Sequence, residues 1–403
     1  MSAYIIDILS LLGRFVHLVT GIAWIGASFY FVWLDNHLVA PTDDSLARKG
    51  VAGELWAVHG GGFYNAQKYR VAPQVLPRSL HWFYWEAYST FLSGFFLLAL
   101  LYYAQAEVYL IDPRVAALSK PAAIGIGLAF IVGGWIVYDA LCRSPLAKSG
   151  AWLGCLIALA SSAAAFALCR LFSGRGAFIE FGAMLGTIMV ANVFFVIIPG
   201  QREMVRAKRE GREPDPQAGL RGKLRSVHNT YFTLPVLFTM ISNHYAVVFG
   251  ARRNWLVLIA MSAAGVLIRV YFVARHKRHE RRGRTSPIPA LLGLVVLGAT
   301  AAALAPPPKS PAAAADLPIT RFEAIRHIVA MRCAPCHAAA PSQPGFAAAP
   351  KGLLLDSPEA ILAHVSVIAP QVATNAMPIG NLTGMTDAER AQLLDWIRDD
   401  SPR

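Results

Sequence analysis

Eight stretches of predominantly apolar residues, each of a length that can cross the hydrocarbon core of a bilayer, constrain this chain more than any other feature. They run over residues 8–33, 84–103, 121–141, 151–171, 178–198, 231–249, 255–274 and 288–304. Only 15% of the 403 residues are charged, against about 25% in soluble globular chains, so a water-soluble fold is excluded for this part. The first stretch has no Lys or Arg before Arg14 and no small-residue cleavage site, and reads as a retained span.

The net charge of +13 belongs to the apolar part: residues 1–305 hold 29 basic and 15 acidic side chains, residues 306–403 hold 8 and 9. A basic face on a soluble fold would suggest nucleic acid; basic loops between spans suggest anionic headgroups, so no nucleic-acid partner is expected. The loops after spans 1, 3, 5 and 7 carry 21 Lys and Arg, those after the even spans a handful. By the positive-inside rule the odd loops are cytoplasmic. The N-terminus and everything after Leu304 are then periplasmic, in a multi-pass inner-membrane protein.

Three domains follow: a membrane bundle over 1–305, a Pro- and Ala-rich linker over 306–317, and a tail over 318–403 with ordinary charge density. The tail carries two capping boxes, Thr320 with Glu323 and Thr386 with Glu389, the second opening a helix that buries Leu393, Leu394, Trp396 and Ile397. Cys333-Ala334-Pro335-Cys336-His337 is a Cys-x-x-Cys-His sequence, the signature of covalent haem c attachment. Its two thiols suit thioethers to the vinyl groups, and the adjacent imidazole reaches the iron from one face. Met377, in a loop before the last helix, is the expected opposite ligand, with Met385 and His364 as competitors. The fold expected is all-α, an eight-span bundle followed by a small, class I-like cytochrome c domain. Haem c is attached outside the cytoplasm, where the charge count independently places the tail.

Polar residues within spans are costly and are candidate functional groups. Span 1 carries His17; span 2 opens on His81-Trp82-Phe83-Tyr84-Trp85-Glu86; span 5 holds Asn192; His228-Asn229 precedes span 6, which carries Asn243-His244; span 7 buries Arg269. His17 and His244, at comparable depth in different spans, are the candidate ligands of a second, b-type haem. Cys142, Cys155 and Cys169 read as packing residues, and 58–64 as a glycine-rich turn flanked by His and aromatics.

The strings Trp56-Ala57-Val58-His59-Gly60-Gly61-Gly62-Phe63-Tyr64, Leu80-His81-Trp82-Phe83-Tyr84-Trp85-Glu86-Ala87-Tyr88, His228-Asn229-Thr230-Tyr231-Phe232-Thr233-Leu234-Pro235 and Thr239-Met240-Ile241-Ser242-Asn243-His244-Tyr245, followed by the haem motif, resemble the bacterial membrane-bound, cytochrome-c-linked urate oxidases. The resemblance implies an oxidoreductase of purine catabolism that turns urate and water into 5-hydroxyisourate, with electrons passing to the haem c. A soluble cytochrome c or terminal oxidase would then receive them. No family residue roles carry over, so the site is inferred from chemistry. Urate is a planar monoanion: Arg269 is the expected cation, Asn192, Asn229 and Asn243 the readers of its edge, Trp82 or Trp85 its stacking face. His81, Glu86 and His228 are the candidate bases. A quinol-oxidising respiratory subunit and a membrane-anchored electron carrier are the competing readings of the same features.

Overall fold

The computed structural model describes residues 3–277, 286–305, 319–343, 346 and 349–399. The expected linker over 306–317, the domain start at 318, the Thr320 side chain and most of the basic stretch 275–284 lie outside the described residues.

The chain is mostly helical. Helices α1 (Ala3–His37), α2 (Trp85–Leu97), α3 (Lys120–Arg143), α4 (Gly150–Leu171), α5 (Gly174–Asn192), α6 (Pro216–Ser242), α7 (Asn254–Lys277) and α8 (Ile288–Ala303) stand on the eight apolar stretches. Among the described residues five segments are long and apolar enough to cross a membrane: Ile5–His37, Lys120–Arg143, Gly150–Leu171, Gly174–Arg209 and Asn254–Arg275. This is a membrane protein. α8 is apolar but shorter, while α2 and α6 fall outside that set for reasons visible in their sequences.

Helix α2 gives way to a π-helical stretch, Leu98–Tyr103, within the expected second span. Helix α6 starts well before the expected boundary of residue 231, because Asp215 caps it and Pro216 suits the first turn, so its first half is polar. It also ends early, at Ser242. Tight turns close there, with His244 N–H on the Ile241 carbonyl and Tyr245 N–H on the Ser242 carbonyl. Asn243 and His244 therefore lie in the turn after α6, not inside a span ending at 249. Helix α5 continues past Pro199 to Arg209 because a π-helical turn, Val193–Ile197, precedes the proline and absorbs its ring and missing N–H.

The all-α expectation misses one element. Strands β1 (Val51–His59) and β2 (Gly62–Tyr69) form an antiparallel hairpin in the loop after α1, where the glycine-rich turn was expected. Gly60 and Gly61 both take positive φ, 55° and 80°, the conformation a two-residue hairpin turn demands. At this end of the molecule Asp35 pairs with Lys68 and Lys223, tying the hairpin and the start of α6 to α1.

Helix α5 forms the centre of the bundle, burying Phe178, Phe181, Leu185 and Ile188 against α2, α3, α4 and α6. Between helices in a bilayer such contacts stabilise by close packing rather than by transfer out of water. The C-terminal domain has its own core. Helices α9 (Ile319–Arg332), α10 (Pro358–Ala363), α11 (Val365–Ala373) and α12 (Asp387–Asp399) enclose Ile325, Val329, Leu355, Ile368, Leu393 and Trp396, with Leu394 and Ile397 against it. The second capping box forms: Thr386 Oγ1 accepts the Glu389 N–H at 3.2 Å and Glu389 Oε2 accepts the Thr386 N–H at 2.7 Å.

This domain docks on the opposite end of the bundle from the hairpin. Arg114 donates to the Asn375 carbonyl at 3.4 Å, and Gly380, at φ 54°, lies against the carbonyls of Glu107, Val108 and Ile111. A Cβ there would stand 3.1 Å from two of those oxygens, so the close approach depends on glycine. The loops after α2 and α6, assigned to one side by charge, both meet this domain.

Candidate functional site

The Cys-x-x-Cys-His segment follows directly on α9, as a single turn, Ala334–His337. His337 Nδ1 lies 3.0 Å from the Leu353 carbonyl, which accepts only, so Nδ1 carries the hydrogen and Nε2 keeps its lone pair. Carbonyl-held imidazoles of this kind are typical metal ligands. Among the described residues no three His, Cys, Asp or Glu side chains gather as an ion site, so the two thiols and His337 do not converge as zinc ligands would. Burial pushes the Cys333 thiol up to about 11, with Cys336 adding to it, the reverse of the depressed thiol of a redox pair. The residues fit covalent haem c.

The three candidates for the opposite face sit differently. Met377 lines one cavity with Cys333, Cys336 and His337, and its carbonyl accepts from Arg390 at 2.7 Å. Met385 is instead 2% exposed in the domain core. His364 lines the cavity with Nδ1 held by the Ala360 carbonyl at 2.8 Å.

That cavity, about 1050 Å³, continues from the haem motif into the bundle. Its outer part is lined by Arg14, Tyr102, Arg175, Asn243 and His244; its inner part by His17, Trp24, Gly186, Met189 and Thr233. Tyr102 donates to Asn243 Oδ1 at 3.1 Å, which fixes the turn after α6. Asn243 thus belongs to the cavity, far from the other two asparagines.

One turn beyond Thr233 on α6 lies a polar layer. Asn192 Nδ2 donates to Asn229 Oδ1 at 2.8 Å and to Tyr138 Oη at 3.1 Å, and Tyr138 Oη is 2.8 Å from His228 Nδ1. Asn229 Nδ2 donates to the Met189 carbonyl at 2.9 Å. Arg225 binds Asp139 at 2.6 Å and Asn192 Oδ1 at 3.4 Å, with its guanidinium carbon 4.9 Å from the Tyr138 ring centroid. The structure therefore brings Asn192, His228 and Asn229 together, as expected of a site, but with Arg225 as their cation.

Arg269 lies elsewhere, 3.9 Å over the Phe29 ring, with a buried Nε that has no partner among the described residues. His81 meets Phe83 edge-on at 4.6 Å. Glu86, with Oε2 likewise buried and unpartnered, belongs to the α2 segment that packs Trp82, Tyr84 and Tyr88 against Val190, Val193 and Ile198. Trp85 is 61% exposed.

Sequence reasoning missed Tyr138, Asp139, Arg225 and Glu180. Glu180 is fully buried, with Tyr103 Oη 3.5 Å from one carboxyl oxygen and the other unpartnered. A lone acid in the apolar run 178–198 was a readable signal for it, and Asp139 was a second. Arg225 hid among the basic residues of a loop that turned out to be helix.

Residues 3–303, the bundle and none of the C-terminal domain, match the family model described as urate oxidase, N-terminal. No curated protein and no solved structure matches the chain. The match covers well over half of the chain and stops where α8 does, and on that ground the chain belongs to the urate oxidase N-terminal family.

Proposed function

We propose that this protein oxidises urate with water to 5-hydroxyisourate within the bundle and passes the electrons to a haem c on the C-terminal domain. The observation that carries this reading is the continuous cavity joining the Cys333–His337 motif to the bundle, ending one helical turn from the polar layer. In this reading all eight apolar helices cross the inner membrane, α2 and α6 included. The C-terminal domain faces the periplasm, where a soluble cytochrome c or terminal oxidase takes the electrons.

The haem would be held by thioethers to Cys333 and Cys336 and by His337 and Met377, and when bound it supplies a one-electron acceptor. The urate monoanion and water give 5-hydroxyisourate, one proton and two electrons. The remaining work falls to the polar layer. Arg225 is the fork for the anion, and it must keep its 2.6 Å bond to Asp139 so that no charge is stranded. Its 3.4 Å contact to Asn192 is the one a ligand displaces most easily, freeing both Asn192 and Arg225 for the purine edge. His228, steadied by the Tyr138 hydroxyl, takes the proton that the attacking water releases.

The test is direct. Urate added without oxygen to the purified, haem-loaded protein should reduce its c-type absorption, and His228→Ala should lower turnover per haem while haem content holds. If dithionite reduces the haem and urate does not, the reading fails; reduction by a quinol instead would make the protein a respiratory subunit.

A further inference from the structure

His17 lies on α1 among Phe15, Val16, Leu18 and Val19, all exposed apolar residues, yet its imidazole is tied in place. Its Nδ1 is 3.0 Å from the Thr90 carbonyl and 3.1 Å from Ser93 Oγ on α2. As at His337, the carbonyl requires the hydrogen on Nδ1 and leaves the Nε2 lone pair free. Gly94 clamps the ring: a Cβ at that position would stand 2.8 Å from His17 Cε1. His17 and His337 line the same cavity, as does the carbonyl-held His364.

The cavity wall around His17 suits a flat, mostly apolar ligand. Gly21 and Gly186 leave it bare of side chains, between Leu18, Ile22, Ile25 and Leu98. One turn from His17, Arg14 lines the cavity, and Arg175 does so from α5. Among the described residues neither pairs with a carboxylate: Arg14 donates to Ser10 Oγ, and Arg175 lies 5.1 Å over the Phe249 ring. Two unneutralised guanidiniums beside an apolar slot call for a ligand with carboxylates at one edge. At about 1050 Å³ the cavity stands at the upper end for a small-molecule site, and it runs from Cys333 and His337 inward to His17 and Thr233.

We propose that the bundle binds a second haem, non-covalent and b-type, with His17 Nε2 as iron ligand and Arg14 and Arg175 as partners of its propionates. Its place in an electron path rests on the urate reading; its existence does not. From Asn229 to Asn243 the chain climbs 14 residues, about 21 Å at the helical rise, and tunnelling decays exponentially over such a gap. A haem at His17 divides that distance and provides a second one-electron acceptor for a two-electron oxidation.

His244, the other expected ligand, lines the same cavity. It follows Asn243, which Tyr102 holds, and stands towards the outer end of the cavity while His17 stands at Gly94, so His17 is the proposed ligand.

Full-length protein, produced with haem supply and cytochrome c maturation, is extracted with acidified acetone, which removes only non-covalent haem. Pyridine haemochrome spectra of the two fractions should show one extractable haem b for each covalent haem c. His17→Ala should lose the extractable fraction and keep the covalent one, and Arg14→Gln with Arg175→Gln should weaken its retention several-fold. Wild-type protein carrying only covalent haem overturns the proposal, whatever the variants do. An unchanged extractable fraction in His17→Ala with normal haem c overturns the ligand. Neither outcome bears on whether urate reduces the haem c, so the two readings fail separately.

Discussion

The polar layer and the cavity wall are neighbours along α6, yet they treat buried polar groups in opposite ways. In the layer Asn192, Asn229, Tyr138, His228, Arg225 and Asp139 partner one another, and the Arg225 charge is met by Asp139. Further along, the cavity leaves the His17 Nε2 lone pair without a protein donor and the Arg14 and Arg175 guanidiniums without a counter-ion among the described residues. Saturated groups of this kind hold helices together, and a ligand enters only by displacing one of their bonds. Groups left unsaturated beside a cavity that water can enter cost less than a charge stranded in packed protein, and they define where a ligand sits. A substitution at the layer's ion pair or its asparagines should therefore be felt chiefly as lost fold, one at His228 as lost turnover, and one on the cavity wall as lost ligand.

The largest effect expected is at the ion pair. Asp139→Ala strands the Arg225 charge, which is 5% exposed, and should cost about 3–5 kcal/mol. It should appear as a sharp fall in folded protein in the membrane. Replacing both partners by leucine should recover much of the loss, because an apolar pair replaces a charged one without leaving an orphan. A double variant as unstable as Asp139→Ala would show that the layer's stability lies elsewhere.

The same contrast recurs in the C-terminal domain between two methionines eight residues apart. Met385→Ala hollows the core and should cost about 2–5 kcal/mol, leaving the spectrum of surviving haem-loaded protein unchanged. Met377→Ala should do the reverse, keeping the domain folded and the haem attached while its spectrum shifts and its potential falls. If the spectrum follows Met385, the ligand assignment is wrong. Smaller again is Asn192→Ala, which leaves Asn229 Oδ1 without its donor and should cost about 1–3 kcal/mol in thermal unfolding. Arg14→Gln on the cavity wall should by comparison stay within about 0.5 kcal/mol in haem-free protein.

How far the sequence reveals these regions depends on how local the chemistry is. Cys333, Cys336 and His337 stand within five residues of chain, so spacing alone announces the motif. The eight apolar stretches likewise mark eight helices, since length and hydropathy are properties of a segment. The ends of α6 were not readable, because a cap at Asp215 and turns after Ser242 override the apolar run. The layer's pairings were least readable of all: Asp139 and Arg225 are 86 positions apart, and nothing in either segment distinguishes Arg225 from Arg269 as the cation that meets the asparagines. The hairpin was missed because its strands sit between helices and alternate only weakly, leaving Gly60 and Gly61 as its one clear sign.

Arg332 supplies the most specific test, because it is a cavity-lining arginine that is already neutralised. Its guanidinium meets Glu389 at 3.0 Å, both side chains being about a quarter exposed. The Thr386 N–H in the capping box, and then Arg332, hold the Glu389 carboxyl below the ordinary range of about 4.3. A carboxyl lowered by folding contributes stability that is complete above its unfolded value and is lost as pH falls through the folded one. The C-terminal domain should therefore unfold at a lower temperature as pH drops from about 5 towards 3, by an amount within about 1 kcal/mol for a partly exposed pair. Glu389→Gln should lower neutral-pH stability by a similar amount and flatten the acid dependence, since glutamine keeps a capping oxygen but has no charge to titrate. It should also turn Arg332 into a third unpaired cation on the cavity wall, tightening an anionic ligand there while weakening the domain. An acid profile as steep in Glu389→Gln as in the parent protein would assign that dependence to other carboxylates and remove Arg332 from the contrast.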